Sequence, residues 1–172
     1  MRLFIAINFS IETKTRLLGL CEELRAVSTR GNFSHSDTLH VTLAFLGECD
    51  QGKADKAKAV LDKMAFSPFE VGVERIDYFK TGYTSLWWAG LKESKTLLSL
   101  QAKLAESLTA TGFVLETRKF NPHITLGREV VNDVLPREVE PFGETIKSVE
   151  LMLSERINRK VTYTAIHSVK AK

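Results

Sequence analysis

Residues 3–43, LFIAINFSIETKTRLLGLCEELRAVSTRGNFSHSDTLHVTL, align without a gap on residues 86–126, LWWAGLKESKTLLSLQAKLAESLTATGFVLETRKFNPHITL. Each stretch ends on one signature, His40-Val41-Thr42-Leu43 in the first and His123-Ile124-Thr125-Leu126 in the second. Each opens on an apolar strand, Leu3–Ile7 and Leu86–Leu91. A helical stripe follows. Leu17, Leu20, Cys21 and Leu24 form it in the first stretch, and Leu97, Leu100, Leu104 and Leu108 in the second. Leu17 and Cys21 align with Leu100 and Leu104. Ser10 and Ser94 stand where helix N-caps are expected, and Gly31 and Gly112 are expected to close the helical regions. A loop then leads into each His-x-Thr strand.

This repeat predicts an α+β fold of two similar lobes related by a pseudo-twofold axis. Mostly antiparallel sheets should line a central cleft, with helices outside. The whole chain, 1–172, reads as a single bilobal domain. Outside the repeat, a Gly47–Asp50 turn leads to a polar helix over about Gln51–Met64. Strands are expected near Phe69–Val73 and Arg75–Phe79. The latter should form a hairpin with Leu86–Gly90 through Thr81-Gly82-Tyr83. A loop containing Pro136 and Pro141 is expected after the second signature. A final hairpin should join Ser148–Leu153 to Val161–Val169 through Arg156–Arg159.

Composition narrows the function classes. The hydrophobic fraction is 44% and the charged fraction 26%, both ordinary for a globular domain. The formal net charge of +3 is too mild to announce nucleic acid, yet it does not oppose a phosphate ligand. Two cysteines, Cys21 and Cys49, form no C-x-x-C pair, which argues against a disulfide scaffold or zinc ribbon and makes a reducing cytoplasm the expected location. The run Leu3–Ile7 is too short for a signal or membrane segment. No P-loop, G-x-S-x-G elbow or H-E-x-x-H helix is present.

A strand sends alternate side chains to opposite faces. His40 and Thr42 therefore share one face, as do His123 and Thr125, while Val41, Leu43, Ile124 and Leu126 turn to the core. Two facing strands would bring two imidazoles and two hydroxyls around one pocket. One imidazole can accept a proton while the other donates, which is what metal-free phosphodiester hydrolysis requires. A metal site fits poorly, because threonine is a weak zinc or iron ligand and no carboxylate accompanies either histidine at short spacing. Arg128 nominally faces away from His123, unless a bulge at Gly127 turns it. A guanidinium there would grip phosphate. Phe33, Phe45 and Tyr163 could stack on a base. His35 and His167 read as solvated or structural residues.

Gly31-Asn32-Phe33, Leu39–Glu48 and Asn121–Arg128 together resemble the RNA 2′,3′-cyclic phosphodiesterase family, also called the 2′-5′ RNA ligase or LigT-like family, within the two-histidine phosphoesterases. The N-terminal Arg2–Ile7 and the region of Tyr163 share the likeness, which covers nearly the whole chain. The resemblance implies hydrolysis of a terminal RNA 2′,3′-cyclic phosphate to a 2′-phosphate, with no metal or nucleotide cofactor. It also implies His40 as proton donor, His123 as proton acceptor, and Thr42, Thr125 and Arg128 as phosphate-binding residues. Joining to a 5′-hydroxyl end follows by microscopic reversibility. Partners are then RNA with cyclic ends, or small cyclic nucleotides such as ADP-ribose 1″,2″-cyclic phosphate. A monomer with no membrane contact is expected. A non-catalytic RNA-end-binding module is the alternative from another class.

Overall fold

Apolar runs and alternating patterns build most of the nine strands, and sheet pairing supplies the rest. The computed structural model describes all residues, Met1–Lys172. In chain order the elements are β1 (Arg2–Asn8), α1 (Ile11–Ala26), β2 (Ser28–Phe33), β3 (His40–Glu48), α2 (Gln51–Asp62), β4 (Phe69–Thr81), β5 (Thr84–Leu91), α3 (Lys95–Ala110), β6 (His123–Asn132), β7 (Arg137–Ile146), β8 (Ser148–Ile157) and β9 (Lys160–Lys170). A single 3₁₀ turn, Ser36–Thr38, precedes β3. No helix is long and apolar enough to cross a membrane.

All strand pairs are antiparallel, in the order β7-β4-β5-β6-β3-β1-β8-β9. The centre of that order falls between β6 and β3, the two signature strands. β5 and β1 flank them, β4 and β8 come next, and β7 and β9 form the edges. The central strands share one ladder pair, Val41↔Ile124. Beyond it β3 leaves β6, and β2 takes over that edge from Phe33↔Gly127 to Ser28↔Asn132.

One continuous core lies on the helix side of the sheet and contains Val41, Leu43, Ile124 and Leu126 with residues of all three helices. Ser10 caps α1 by accepting from Thr13 N, and Ser94 caps α3 by accepting from Leu97 N at 3.1 Å. The expected stripes are buried: Leu17, Leu20, Cys21 and Leu24 on α1, and Leu97, Leu100, Leu104 and Leu108 on α3. Each helix holds the signature strand of the other half. Cys21 Sγ of α1 donates to Leu126 O at 3.4 Å, and Gln101 Nε2 of α3 donates to Leu43 O at 3.1 Å.

Several local expectations need correction. Helix α1 ends at Ala26, and Gly31 lies inside β2 rather than closing a helix. A Cβ on Gly31 would meet the Phe33 ring at 2.6 Å, so this glycine makes room for Phe33. Gly112 does follow α3 in the left-handed region, at φ 102°. The two strands expected between Phe69 and Phe79 are one strand, β4, with its register shifted between Val73 and Arg75. Pro141 sits in strand β7 rather than in a loop. Its three-residue stretch Val139-Glu140-Pro141 is skipped between the pairs Glu138↔Arg75 and Phe142↔Val73. An edge strand tolerates proline at such a bulge, where no ladder donor is needed.

Candidate active site

The Val41↔Ile124 pair sets the geometry. In an antiparallel register centred there, His40 lies across from Thr125 and Thr42 across from His123. All four side chains occupy the sheet face opposite the helices, one His/Thr couple from each half. Val41, Ile124 and Leu126 are fully buried on the other face and anchor both strands.

Backbone carbonyls orient both rings in the same way. His40 Nδ1 lies 2.7 Å from Thr38 O, and His123 Nδ1 lies 2.6 Å from Asn121 O. A carbonyl only accepts, so each Nδ1 carries a proton and donates it. In the neutral ring Nε2 is then the bare nitrogen, available for proton exchange. In His40 it accepts from the Thr42 hydroxyl at 2.9 Å.

Aromatic side chains wall each imidazole. His40 meets Phe4 at 5.1 Å and the edge of Tyr163 at 5.4 Å between centroids. Phe4, Ala6, Met152 and Tyr163 form a small apolar cluster on this face. On the other side His123 meets Phe79 at 6.0 Å and Trp88 at 6.1 Å, both edge-on. Burial and this apolar wall push the His40 pKa down from 6.5 to about 4. The Thr38 carbonyl opposes that shift, while the charges of Arg128, His123 and Lys14 add to it.

Arg128 arrives on this face through a bulge. Thr125 pairs with Trp88, and Gly127 pairs with Trp87, so Leu126 is an extra residue that resets the alternation. Gly127 then packs on the core side, where a Cβ would lie 2.9 Å from the Phe33 ring. Arg128 follows on the open face and is exposed. The first half bulges at the same point. Thr42 pairs with Ala6 and Ala44 with Ile5, leaving Leu43 extra. Phe45 thereby occupies in the first half the place Arg128 holds in the second. It is 59% exposed and lies 6.1 Å from the Phe4 ring.

The structure brings together His40, His123, Thr42, Thr125 and Arg128, with Tyr163 and Phe45 at the His40 side. Phe33 is not available for stacking: it is buried in the core beneath the Arg25 guanidinium. His35 is exposed beside the 3₁₀ turn. His167 has a partner the sequence did not reveal, Asp62, at 2.6 Å. Phe4, Phe79 and Trp88 were missed as wall residues. Their signal was strand parity, since Phe4 is an even number of residues from Ala6, and Trp88 likewise from Gly90, which pairs with His123.

The profile of the 2′-5′ RNA ligase superfamily matches residues 14–157. The chain is 31% identical over 151 residues to an RNA 2′,3′-cyclic phosphodiesterase of Archaeoglobus fulgidus, covering 84% of this chain and 85% of the relative. It is 33% identical over 131 residues to one of Thermotoga maritima, covering 74% and 70%. Among solved structures, the protein TT0787 of Thermus thermophilus superposes with a TM-score of 0.85 at 24% identity, over 99% of this chain and 97% of that one. The apo form of Escherichia coli LigT gives 0.84 at 22% identity, over 99% and 96%. These structures share the fold, and the profile with the two relatives fixes the lineage: the chain belongs to the 2′-5′ RNA ligase superfamily.

Proposed function

We propose that the chain is a metal-independent hydrolase that opens RNA 2′,3′-cyclic phosphate ends to 2′-phosphates, and that can run the related 2′-5′ joining reaction. Relatives named RNA 2′,3′-cyclic phosphodiesterase support the substrate class. The observation that carries the mechanism is the pair of imidazoles on adjacent strands, each with Nδ1 tied to the carbonyl two residues before it. This leaves two Nε2 atoms to serve opposite sides of one phosphorus. The reading takes the chain as one bilobal domain acting as a cytoplasmic monomer, in keeping with two free, buried cysteines.

In the proposed step neutral His123 accepts a proton from water at Nε2 as the water oxygen bonds to phosphorus. The P–O3′ bond breaks, and His40 Nε2 gives a proton to O3′. Thr42 and Thr125 donate to the non-bridging oxygens as charge grows there, and Arg128 offsets that charge. His40 at about 4 is neutral in the free protein at pH 7. An anionic phosphate beside it favours the imidazolium and raises that value, so substrate binding itself arms the acid. The Thr42 hydroxyl then exchanges its bond to His40 for one to phosphate.

The test is hydrolysis of nucleoside 2′,3′-cyclic monophosphates and a cyclic-ended oligonucleotide, with product regiochemistry read by phosphorus NMR. His40→Ala and His123→Ala should each lower kcat by about 10²–10⁴-fold with the fold retained. Activity within a few-fold of wild type in either variant would end the proposal. The rate should survive EDTA; loss that metal restores would favour a metal site.

A further inference from the structure

Hydrolysis needs only a water on the His123 side of the phosphorus, yet that side of the sheet carries a built surface. Directly paired residues in an antiparallel sheet share a face. Arg75 pairs with Gly90, and Gly90 pairs with His123, so β4, β5 and β6 line these three up in one row. Gly90 has no side chain, and Arg75 fills that space: a Cβ on Gly90 would lie 2.7 Å from Arg75 Cγ and 2.8 Å from Cζ. The guanidinium therefore lies across β5, one strand spacing of about 4.8 Å from the row of His123. It sits 5.6 Å over the Trp88 ring and donates to Leu91 O at 3.5 Å and Glu74 Oε1 at 3.3 Å. Phe79, two alternations along β4 on the same face, is 42% exposed. Its ring is 5.1 Å from Trp88 and 6.0 Å from His123. An anchored cation and an open aromatic ring, both braced on a buried tryptophan, make the surface that single-stranded nucleic acid takes. The ring stacks a base and the guanidinium meets a phosphate.

The geometry points to a second RNA subsite at Arg75 and Phe79, occupied by the strand whose 5′-hydroxyl attacks the cyclic phosphate. This rests on the reading above, in which His123 takes the proton of the nucleophile. In the joining step O5′ bonds to phosphorus and P–O3′ breaks. The 5′-hydroxyl proton passes to His123 Nε2, and the His40 Nε2 proton passes to O3′. The product is a 2′-5′ phosphodiester with a free 3′-hydroxyl, and no co-reactant enters. Water as the nucleophile needs neither the ring nor the guanidinium, and the KM for the 5′-hydroxyl strand separates a site for the attacking strand from one for the cyclic-ended strand.

The experiment compares two reactions of the full chain: hydrolysis of adenosine 2′,3′-cyclic monophosphate, and joining of a cyclic-ended oligonucleotide to a 5′-hydroxyl oligonucleotide. In Arg75→Ala the KM for the 5′-hydroxyl strand should rise about tenfold, and the ratio of joining to hydrolysis should fall as far; in Phe79→Ala, whose ring also walls His123, the reading is the same rise in KM for the 5′-hydroxyl strand. Phe79→Tyr keeps the ring and should keep the ratio. Both side chains are partly exposed, and circular dichroism of each variant checks the fold. A ratio within twofold of wild type in Arg75→Ala, or an unchanged KM for the 5′-hydroxyl strand in Phe79→Ala, would overturn the subsite. So would equal loss of both reactions in Arg75→Ala, or a wild type that hydrolyses but never joins. A wild type that fails to hydrolyse the cyclic monophosphate would bring down the underlying reading first, and the subsite with it.

Discussion

His40 carries the largest electrostatic perturbation in the site, and its consequences can be measured in two ways. Its ordinary value of 6.5 holds in the unfolded chain, while burial against Phe4 and Tyr163 takes it to about 4 in the folded one. The unfolded state therefore binds a proton between these values that the folded state refuses. Stability from this residue is fully present above pH 6.5 and is lost as pH falls toward 4. The loss over that window is roughly 3 kcal/mol. His40→Gln should flatten this acid slope in denaturant titrations run from pH 7 to 4, whereas an unchanged slope would show that other groups cause it. The imidazole itself should titrate near pH 4 by NMR in the free protein, and higher with phosphate bound. Thr42 is the neighbouring test. Its hydroxyl holds His40 Nε2 and is proposed to move to the phosphate, so Thr42→Val should lower kcat/KM by about 10²-fold. A loss confined to KM would instead assign it to ground-state binding.

Secondary structure was legible where side-chain chemistry acts locally. The caps at Ser10 and Ser94, the leucine stripes and the turn at Gly82 all depend on neighbours in sequence, and all are where the pattern puts them. The two His-x-Thr couples were legible for the same reason, since parity alone gives their shared face. Strand β2 was not legible. Ser28–Phe33 has one buried apolar residue, Phe33, and the strand exists because β3 leaves the edge of β6 open to it. The carbonyls that orient the rings carry no side-chain signal at all. Only a flag of a bulge near Gly127 was readable; that Arg128 turns to the open face depends on register with β5. Close approach of backbones is another tertiary fact invisible to pattern. Gly143 pairs with Gly72 on the edge of the sheet, and a Cβ there would lie 2.0 Å from Val71 O. Gly143→Ala should cost about 1–3 kcal/mol, lowering Tm by roughly 2–12 °C in a scanning calorimeter. An unchanged Tm would mean that the β4–β7 edge yields freely.

At the scale of the whole molecule, each half supplies one histidine, and the halves meet in the sheet along β6, which pairs with β3 at Val41↔Ile124 and with β2 from Phe33↔Gly127 to Ser28↔Asn132. Val41 and Ile124 do two things there. They join β3 to β6, and their buried side chains fasten both signature strands to the common core. The crossed helix contacts, Cys21 to Leu126 and Gln101 to Leu43, tie each strand to the opposite half. The distance between the two imidazoles is thus a property of the junction rather than of either half. Ile124→Ala would remove most of a fully buried side chain at that junction, at a cost of about 2–5 kcal/mol. Unlike a surface change of equal cost, it should also slow catalysis while the protein is still folded. A misplacement of about 1 Å between reacting groups can cost about 10²-fold in rate. The measurement is kcat for cyclic phosphate hydrolysis at a temperature where circular dichroism shows the variant fully native. Leu108→Ala, in the same core but on α3 away from the junction, is the matched control for destabilisation alone. If the Ile124 variant keeps wild-type kcat at that temperature, the spacing of the two histidines does not depend on the Val41–Ile124 pair, and the β2–β6 ladder is left to hold it.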